Sequence, residues 1–469
     1  MDVILHIGRQ KTGSTFIQAS LDATRRQLAR RGVLYPSAFG AGKSRFIRDF
    51  FEGGRRLEGR IDEVGAVLDK EFARRSWDKA IISNENLFVS TPEVMRSLED
   101  FVAAHKATPR VYCYVRRPDE HVVSLYQQRV RTGGVTLSLN AFVSRVLAQG
   151  YYRQAAYLDR WRERFGRDAV HVRLFHGDVI RVNPFEDFMA WIGVPTEGLR
   201  IPASRRKIAN ESFDPTGVDV LRFVRRWQTE NPGAIDDGFF FRVRHRLRAL
   251  NGDQRLRLSA AQAERMAEAC RKDCERLARD YLPEDQARLL LAPPQAGAST
   301  SSVDAAAVVG RAIDAIGWRS TLRGLRAAPA DGDAAGVALA EALGRYRDAY
   351  PARLDEAGLQ DIRARLAGSA AAPATAPEPY EVFSRLMRAL PADTSWRGRL
   401  GRAWDRFRGL FGRVGAAERR AEGRRARKAK RRGASTERAR TRQEDTALTD
   451  AGIHATREGV SADGAGAGS

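Results

Sequence analysis

Short apolar runs alternate with amphipathic segments over roughly the first 195 residues. The runs that predict β-strands are Val3–Ile7, Ala80–Ser83, Arg110–Val115 and Val170–Phe175. Each run is compact and mostly apolar, as expected for a strand that helices cover on both faces of a sheet. Strands that alternate with helical segments in this way predict an α/β fold built on a central parallel sheet.

Two helices are marked by their ends. Asn183-Pro184 is a good start for a helix, because Asn caps the free amides and Pro suits the first helical position. Apolar residues then follow at helical spacing up to Gly193. Further on, Ser259 and Gln262 form a capping box ahead of a long helix that should run to about Tyr281. The pattern from about residue 215 to 291 is entirely helical.

Linker-like composition divides the chain into segments. The predicted organisation is a main domain at 1–291, a linker at 292–303, a helical appendage of unknown role at 304–368, a second linker at 369–379, a basic amphipathic helix with a polybasic segment at 380–432, and a disordered tail at 433–469. The linkers are rich in Ala, Gly, Ser and Pro, and the tail is polar and rich in Gly and Ala.

Composition places the chain among globular proteins and favours a cytoplasmic location. Of its 469 residues, 43% are hydrophobic and 29% are charged. No apolar stretch approaches the roughly 18 residues of a membrane-spanning helix, and the N-terminus predicts a strand instead of a signal peptide. Three cysteines, Cys113, Cys270 and Cys274, give no disulfide framework. Cys270 and Cys274 are expected to fill the core, and no metal site is expected.

The net charge of +22 belongs mostly to the C-terminal region. Residues 397–442 contain 18 Lys and Arg against four acids, a net charge of +14, which leaves +8 for the rest of the chain. In residues 396–413, Trp, Leu and Phe recur at helical spacing among arginines, and residues 419–432 contain nine Lys and Arg. This pattern fits a basic amphipathic helix that lies on an anionic membrane, which would place the protein peripherally on the inner face of that membrane. It fits equally well a helix docked on the protein body, and nucleic acid is a less favoured partner because no binding motif accompanies the charge.

A glycine-bearing loop follows the first predicted strand. Gly8 and Gly13 flank Lys11, and Ser14 and Thr15 begin the next helix. Backbone amides at such a strand–helix turn bind anions, and the positive end of the helix favours them. The Walker pattern places lysine directly after the second glycine, whereas here Lys11 precedes Gly13 by two residues. The alternative interpretation is a tight turn with an exposed lysine. A second, Walker-like segment at residues 40–44 lacks the strand and helix of a nucleotide site, so we assign it to an acceptor-side loop.

A second set of candidate residues follows the strand Arg110–Val115. Arg116 closes this strand, and Ser124 lies about two turns into the helix that Pro118 begins. In open α/β sheets, ligands bind at the carboxyl ends of the strands, so the two side chains can converge on one anion. Arg117 competes with Arg116 for this role and is otherwise expected to be a solvent-facing charge.

These motifs together resemble those of the sulfotransferases that use 3′-phosphoadenosine 5′-phosphosulfate (PAPS), in particular bacterial, carbohydrate-type members. Lys11-Thr12-Gly13-Ser14-Thr15 is similar to the family's 5′-phosphosulfate loop, and Arg116 with Ser124 matches its 3′-phosphate element. The resemblance covers about residues 1–291 and implies a P-loop-type three-layer fold followed by C-terminal helices and the basic tail. It also implies a sulfuryl transfer from PAPS, without a required metal, to a hydroxyl or amine of a carbohydrate or glycolipid.

Lys11 and Glu85 are the candidates for charge-stabilising and acid–base roles. Glu85, in a stretch similar to the S-x-E segment of bacterial members, is a candidate general base, although an acid at a helix start also serves the helix dipole. Lys11 is expected to stabilise the leaving oxygen. His6 is expected in the core and His121 on a helix surface. An ATP-dependent P-loop phosphotransferase and a catalytically inert membrane-associated scaffold are the alternative functions.

Overall fold

The computed structural model describes residues 1–39, 47–53, 61–199, 201, 212–294, 297, 304–328, 332–368 and 375–390. The Walker-like segment at 40–44 lies outside these described residues. The same holds for residues 391–469, on which the predictions of the amphipathic helix at 396–413, the polybasic run and the tail depend.

A parallel sheet forms the centre of the first domain. Its strands are β1 (Asp2–His6), β2 (Val33–Leu34), β3 (Lys79–Ser83), β4 (Thr108–Val115) and β5 (Val170–Leu174). They are hydrogen-bonded in the order β2-β3-β1-β4-β5, with every pair parallel. Four of the five were predicted. β2 was missed because two residues are too few to show a hydrophobic pattern.

Helices cover both faces of the sheet. Those between β1 and β5 are α1 (Ser14–Arg30), α2 (Ile47–Phe51), α3 (Ile61–Ala73), α4 (Pro92–Ala104), α5 (Pro118–Arg131), α6 (Leu139–Ala148) and α7 (Gln154–Phe165), and α8 (Pro184–Trp191) follows β5. α1 and α8 share one apolar cluster, and α3 to α7 contribute to the larger cluster on the other face. This arrangement confirms the predicted α/β, P-loop-type three-layer fold.

The strand order places a crevice between β1 and β4. From β1 the chain leaves towards the β2 edge of the sheet, and from β4 it leaves towards the β5 edge. Neighbouring strands whose connections leave in opposite directions open a crevice at their carboxyl ends, where α/β proteins bind ligands. The glycine-bearing loop after β1 and the Arg116 segment after β4 both begin at this crevice.

The rest of the described chain is helical. It comprises α9 (Pro215–Glu230), α10 (Asp237–Leu247), α11 (Ala260–Tyr281), α12 (Glu284–Leu291), α13 (Ala305–Ile316), α14 (Trp318–Arg326), α15 (Ala334–Ala349), α16 (Glu356–Ala367) and α17 (Pro379–Ala389). The capping box of Ser259 and Gln262 and the end of α11 at Tyr281 are as predicted. α13 packs on α9 and α10, so residues 304–368 share a continuous core with the first domain. No helix in the described ranges has both the length and the apolarity to cross a membrane.

Candidate functional site

The loop between β1 and α1 has an unusual backbone. Gly13 has φ +80° and ψ 1°, a left-handed conformation that costs other residues roughly 1–2 kcal/mol. A Cβ at this position would lie 2.8 Å from Cβ of Pro184 and 3.0 Å from Cε2 of Phe175. Lys11 is also left-handed, with φ +65°. Glycine is strongly favoured at position 13, because the left-handed backbone disfavours other residues and the side chains of Pro184 and Phe175 leave too little room for a Cβ.

The same loop presents hydrogen-bond donors that the protein does not use. The amides of Phe16 and Ile17 donate to the Gly13 carbonyl. The amides of residues 11–15 have no acceptor within the part of the chain that the structure describes. Ser14 is 4% exposed, and its Oγ is buried without a partner there. Free amides and a buried, unpaired hydroxyl at the positive end of a helix are the groups with which proteins bind anions, so the predicted role of this loop stays a prediction that its geometry suits.

The hydroxyl of Thr12 has a different role. This residue is fully buried, and its Oγ1 donates to the carbonyl of Arg9. The side chain therefore stabilises the turn itself. Thr15, in contrast, is exposed at the start of α1, where its hydroxyl is accessible to a ligand.

Positive charge is concentrated around Lys11. Burial, followed by the nearby charges of Arg131 and Arg116, lowers the pKa of Lys11 to about 8. Sequence reasoning did not identify Arg131. It lies in the last turn of α5, far from the loop in sequence, and no local pattern marked it.

Arg116 joins the two predicted anion-binding segments. Its Nη1 donates to the carbonyl oxygen of Lys11 at 3.3 Å, while Nε and Nη2 contact Oε2 of Glu120 at 3.1 Å. Ser124 lies three residues beyond His121 on α5, and His121 contacts the carbonyl of Gln10. Since residues three apart share a helix face, we expect Ser124 on the same side of α5 as His121.

Arg117 is not a second candidate for the site. It is 6% exposed and forms an ion pair with Asp119 at 3.1 Å. It also donates to the carbonyls of Leu289 at 2.8 Å and Pro293 at 3.0 Å. The expectation of a solvent-facing charge was therefore wrong. Arg117 attaches the start of α5 to the end of the first domain, and sequence alone gives no sign of these distant carbonyls.

His121 was also placed wrongly on the surface. The ring is fully buried, with Nε2 2.9 Å from the Gln10 carbonyl and Nδ1 3.0 Å from the hydroxyl of Tyr152. Burial, followed by the charge of Arg9, lowers its pKa well below the usual value. A neutral His121 thus connects α5 and the segment before α7 to the loop.

The segment after β3 lies beside the same loop. Glu85 begins a 3₁₀ turn (Glu85–Val89) and is half-buried. Its Oε2 accepts from Nε2 of Gln18 on α1 at 2.9 Å, and Gln10 Nε2 donates to Oδ1 of Asn86 at 3.1 Å. Glu85 therefore lies near the loop and also at a helix start, so both interpretations of this residue remain open.

His6 lies in the core beneath the loop, as expected. Its Nδ1 is 2.7 Å from Oγ of Ser83, and Nε2 has no partner among the described residues. Burial lowers its pKa to about 3, so the ring is neutral at physiological pH. A Cβ on Gly8 would lie 2.8 Å from this Nε2. His6 thus supports the backbone of the loop from below.

The cysteines are core residues. Cys270 and Cys274 lie on the buried face of α11, and burial raises the pKa of each thiol to about 12. Cys113 is buried in β4. Within the described residues, no group of three His, Cys, Asp or Glu side chains is arranged to hold a metal ion.

Comparisons with known proteins add little to this geometry. The chain matches no protein-family model and no curated protein. A sulfotransferase from Alicyclobacillus acidocaldarius, known from its crystal structure, is 19% identical; the alignment covers 48% of this chain and 94% of that one, with a TM-score of 0.28. A superposition of this quality supports no functional inference, so the function has to be inferred from the residues of the site.

Proposed function

We propose that this protein is a PAPS-dependent sulfotransferase that transfers a sulfuryl group to a hydroxyl or amine of an acceptor, which we take to be a carbohydrate or a glycolipid. The observation that carries the proposal is the contact between Arg116 and the Lys11 carbonyl at 3.3 Å. This contact joins the two segments that we predict to bind anions, at the crevice between β1 and β4. A nucleotide with a phosphate at each end of its ribose would occupy both segments.

The residues present fit such a donor. The free amides of the loop and the buried, unpaired Oγ of Ser14 suit the 5′-phosphate, with Thr15 beside them. Arg116 and Ser124 would bind the 3′-phosphate, which distinguishes PAPS from ATP. Thr12 contributes its amide, because its hydroxyl is used within the loop.

The proposed reaction forms a bond from the acceptor oxygen or nitrogen to sulfur and breaks the bond from sulfur to the 5′-phosphate oxygen. Lys11 would donate a hydrogen bond to that departing oxygen; with a pKa of about 8 it is mostly protonated at pH 7. Glu85 would accept the proton that the acceptor loses. The chain contributes mainly position and charge stabilisation, and because a sulfuryl group carries less charge than a phosphoryl group, the proposal requires no metal.

Nucleotide binding tests the donor. Adenosine 3′,5′-bisphosphate, the desulfated donor, should raise the melting temperature of the full-length protein, because a ligand that binds only the folded state stabilises it. ATP with Mg²⁺ should raise it much less. A larger effect of ATP–Mg²⁺ would favour the alternative, a P-loop phosphotransferase.

Transfer of labelled sulfate from PAPS to a panel of glycans and glycolipids tests the reaction. Lys11→Ala and Glu85→Gln should each lower kcat, by about 10²-fold or more for the proposed base. Lys70→Ala, at an exposed position on α3, is the matched control and should retain full activity. Binding of the bisphosphate without transfer to any acceptor would favour the catalytically inert scaffold.

A further inference from the structure

Arg9 belongs to the glycine-bearing loop between β1 and α1, but its side chain does not reach the outer surface of that loop. The residue is 4% exposed. Its amide donates to the Tyr114 carbonyl at 3.2 Å, and its carbonyl accepts from Thr12 Oγ1. These contacts fix the backbone of Arg9 at the end of β1, and the buried side chain points into the protein body, towards Tyr151 and Tyr152.

The guanidinium of Arg9 is enclosed by aromatic rings. Its central carbon lies 4.5 Å from the ring centre of Tyr151, 5.0 Å from that of Tyr152 and 5.5 Å from that of Phe88. Nη2 donates to the Tyr151 carbonyl at 2.7 Å. Aromatic faces attract cations at such distances, but they do not neutralise the charge.

No acid is paired with this charge among the described residues. Nε and Nη1 of Arg9 are buried there without any hydrogen-bond partner. An arginine stays protonated in proteins, and a buried charge without a counterion is costly unless something else compensates for it. Sequence gives no reason for such a residue at this place in the loop.

Asp273, an acid whose pKa the charge of Arg9 affects, has another role. Both carboxylate oxygens of Asp273 accept backbone amides at the start of α7, from Gln154 at 2.9 Å and Ala155 at 3.0 Å. Burial raises the pKa of Asp273 to about 6, although the two amides and the charge of Arg9 act in the opposite direction. Asp273 holds the start of α7 in place, so it offsets the charge of Arg9 only from a distance.

We propose that Arg9 is a positioning residue whose buried, unpaired positive charge strengthens anion binding on the loop amides above it, without touching the anion. The inference rests on the proposed function, because it needs an anion in the loop. Charges interact more strongly in a protein interior than in water, and a fixed charge needs no reorganisation when the ligand arrives. The bound anion then supplies a counterion that the described residues of the free protein do not provide.

Two substitutions separate the charge from the shape of the side chain. Arg9→Lys retains the charge, and Arg9→Met retains an apolar stem without it. Adenosine 3′,5′-bisphosphate is titrated calorimetrically into the full-length protein and each variant at pH 7.5. We expect Arg9→Lys to bind within about threefold of the wild type and Arg9→Met to bind at least about tenfold more weakly. We also expect the free Arg9→Met protein to melt no lower than the wild type, since it lacks an unpaired buried charge.

Several outcomes would overturn the inference. Wild-type affinity in Arg9→Met would show that the charge does not matter, and equally weak binding in Arg9→Lys would show that only the shape of arginine matters. If Arg9→Met does not fold, Asp273→Asn gives an independent test: removal of the nearby negative charge should tighten binding, and unchanged or weaker binding in a folded variant would refute the proposal.

Pyrophosphate is the second probe. If the wild type binds pyrophosphate but not the bisphosphate, the proposed function fails while Arg9 can still be tested.

Discussion

We predict that the buried charge of Lys11 lowers the stability of the ligand-free protein, although the proposed reaction needs this residue. Its pKa falls from 10.5 to about 8, mainly because of burial and then because of Arg131 and Arg116. At about 1.4 kcal/mol per pKa unit, this corresponds to at most ~3.5 kcal/mol of unfavourable interaction of the charged form. Part of the side chain contacts solvent, so we expect Lys11→Met to raise the free energy of unfolding at pH 7 by about 1–3 kcal/mol. Met leaves the left-handed backbone at this position unchanged and so isolates the charge.

The pH dependence gives the sign of the effect. The unfolded chain keeps the Lys11 proton up to about pH 10.5, whereas the folded protein loses it near pH 8. Between these values the unfolded state binds more protons, so Lys11 makes the wild type more stable as the pH rises. The stability advantage of Lys11→Met should therefore be complete below pH 8 and should vanish by about pH 10.5.

Urea unfolding of both proteins at a series of pH values, followed by tryptophan fluorescence, measures this difference. Lys70→Met, at an exposed position on α3, is the control and should match the wild type throughout. The reasoning is refuted if Lys11→Met is no more stable than the wild type at pH 7, or if its advantage is independent of pH. In the sulfuryl-transfer assay, the stabilised Lys11→Met protein should be inactive.

Three further predictions concern Gly13, Arg116 and Arg117. Gly13→Ala should lower the free energy of unfolding by about 2–5 kcal/mol, since it adds the clash with Pro184 to the backbone strain. Gly193→Ala, at another left-handed glycine (φ +69°) with no atom within 4 Å, should cost only about 1–2 kcal/mol; equal losses in urea unfolding would contradict the role of the clash. Arg116→Ala should weaken bisphosphate binding by about tenfold or more in calorimetry with little change in melting temperature. Arg117→Ala should show the reverse: unchanged binding and a loss of about 3–5 kcal/mol of stability, because it breaks the buried ion pair. Weaker binding without destabilisation in that variant would show that Arg117, and not Arg116, belongs to the nucleotide site.

The sequence by itself determined the local features of this protein. Compact apolar runs predicted the four longer strands, and the caps at Asn183 and Ser259 predicted helices with the observed starts. The loop motif and the Arg116 segment predicted where the crevice would lie, because the carboxyl ends of parallel strands meet at one edge of a sheet. These features follow from chemistry within a few residues of each position, which is why a single sequence contains them.

Only the tertiary structure decided which charged and polar side chains are buried and which groups offset the cost of burying them. Arg116 and Arg117 are neighbours in sequence, yet one lies against the loop and the other binds carbonyls more than 170 residues away. His121 and Arg9 are likewise buried by distant segments, around Tyr151 and Tyr152. Burial and long-range hydrogen bonds depend on how separate elements pack, and no local pattern in the sequence encodes them.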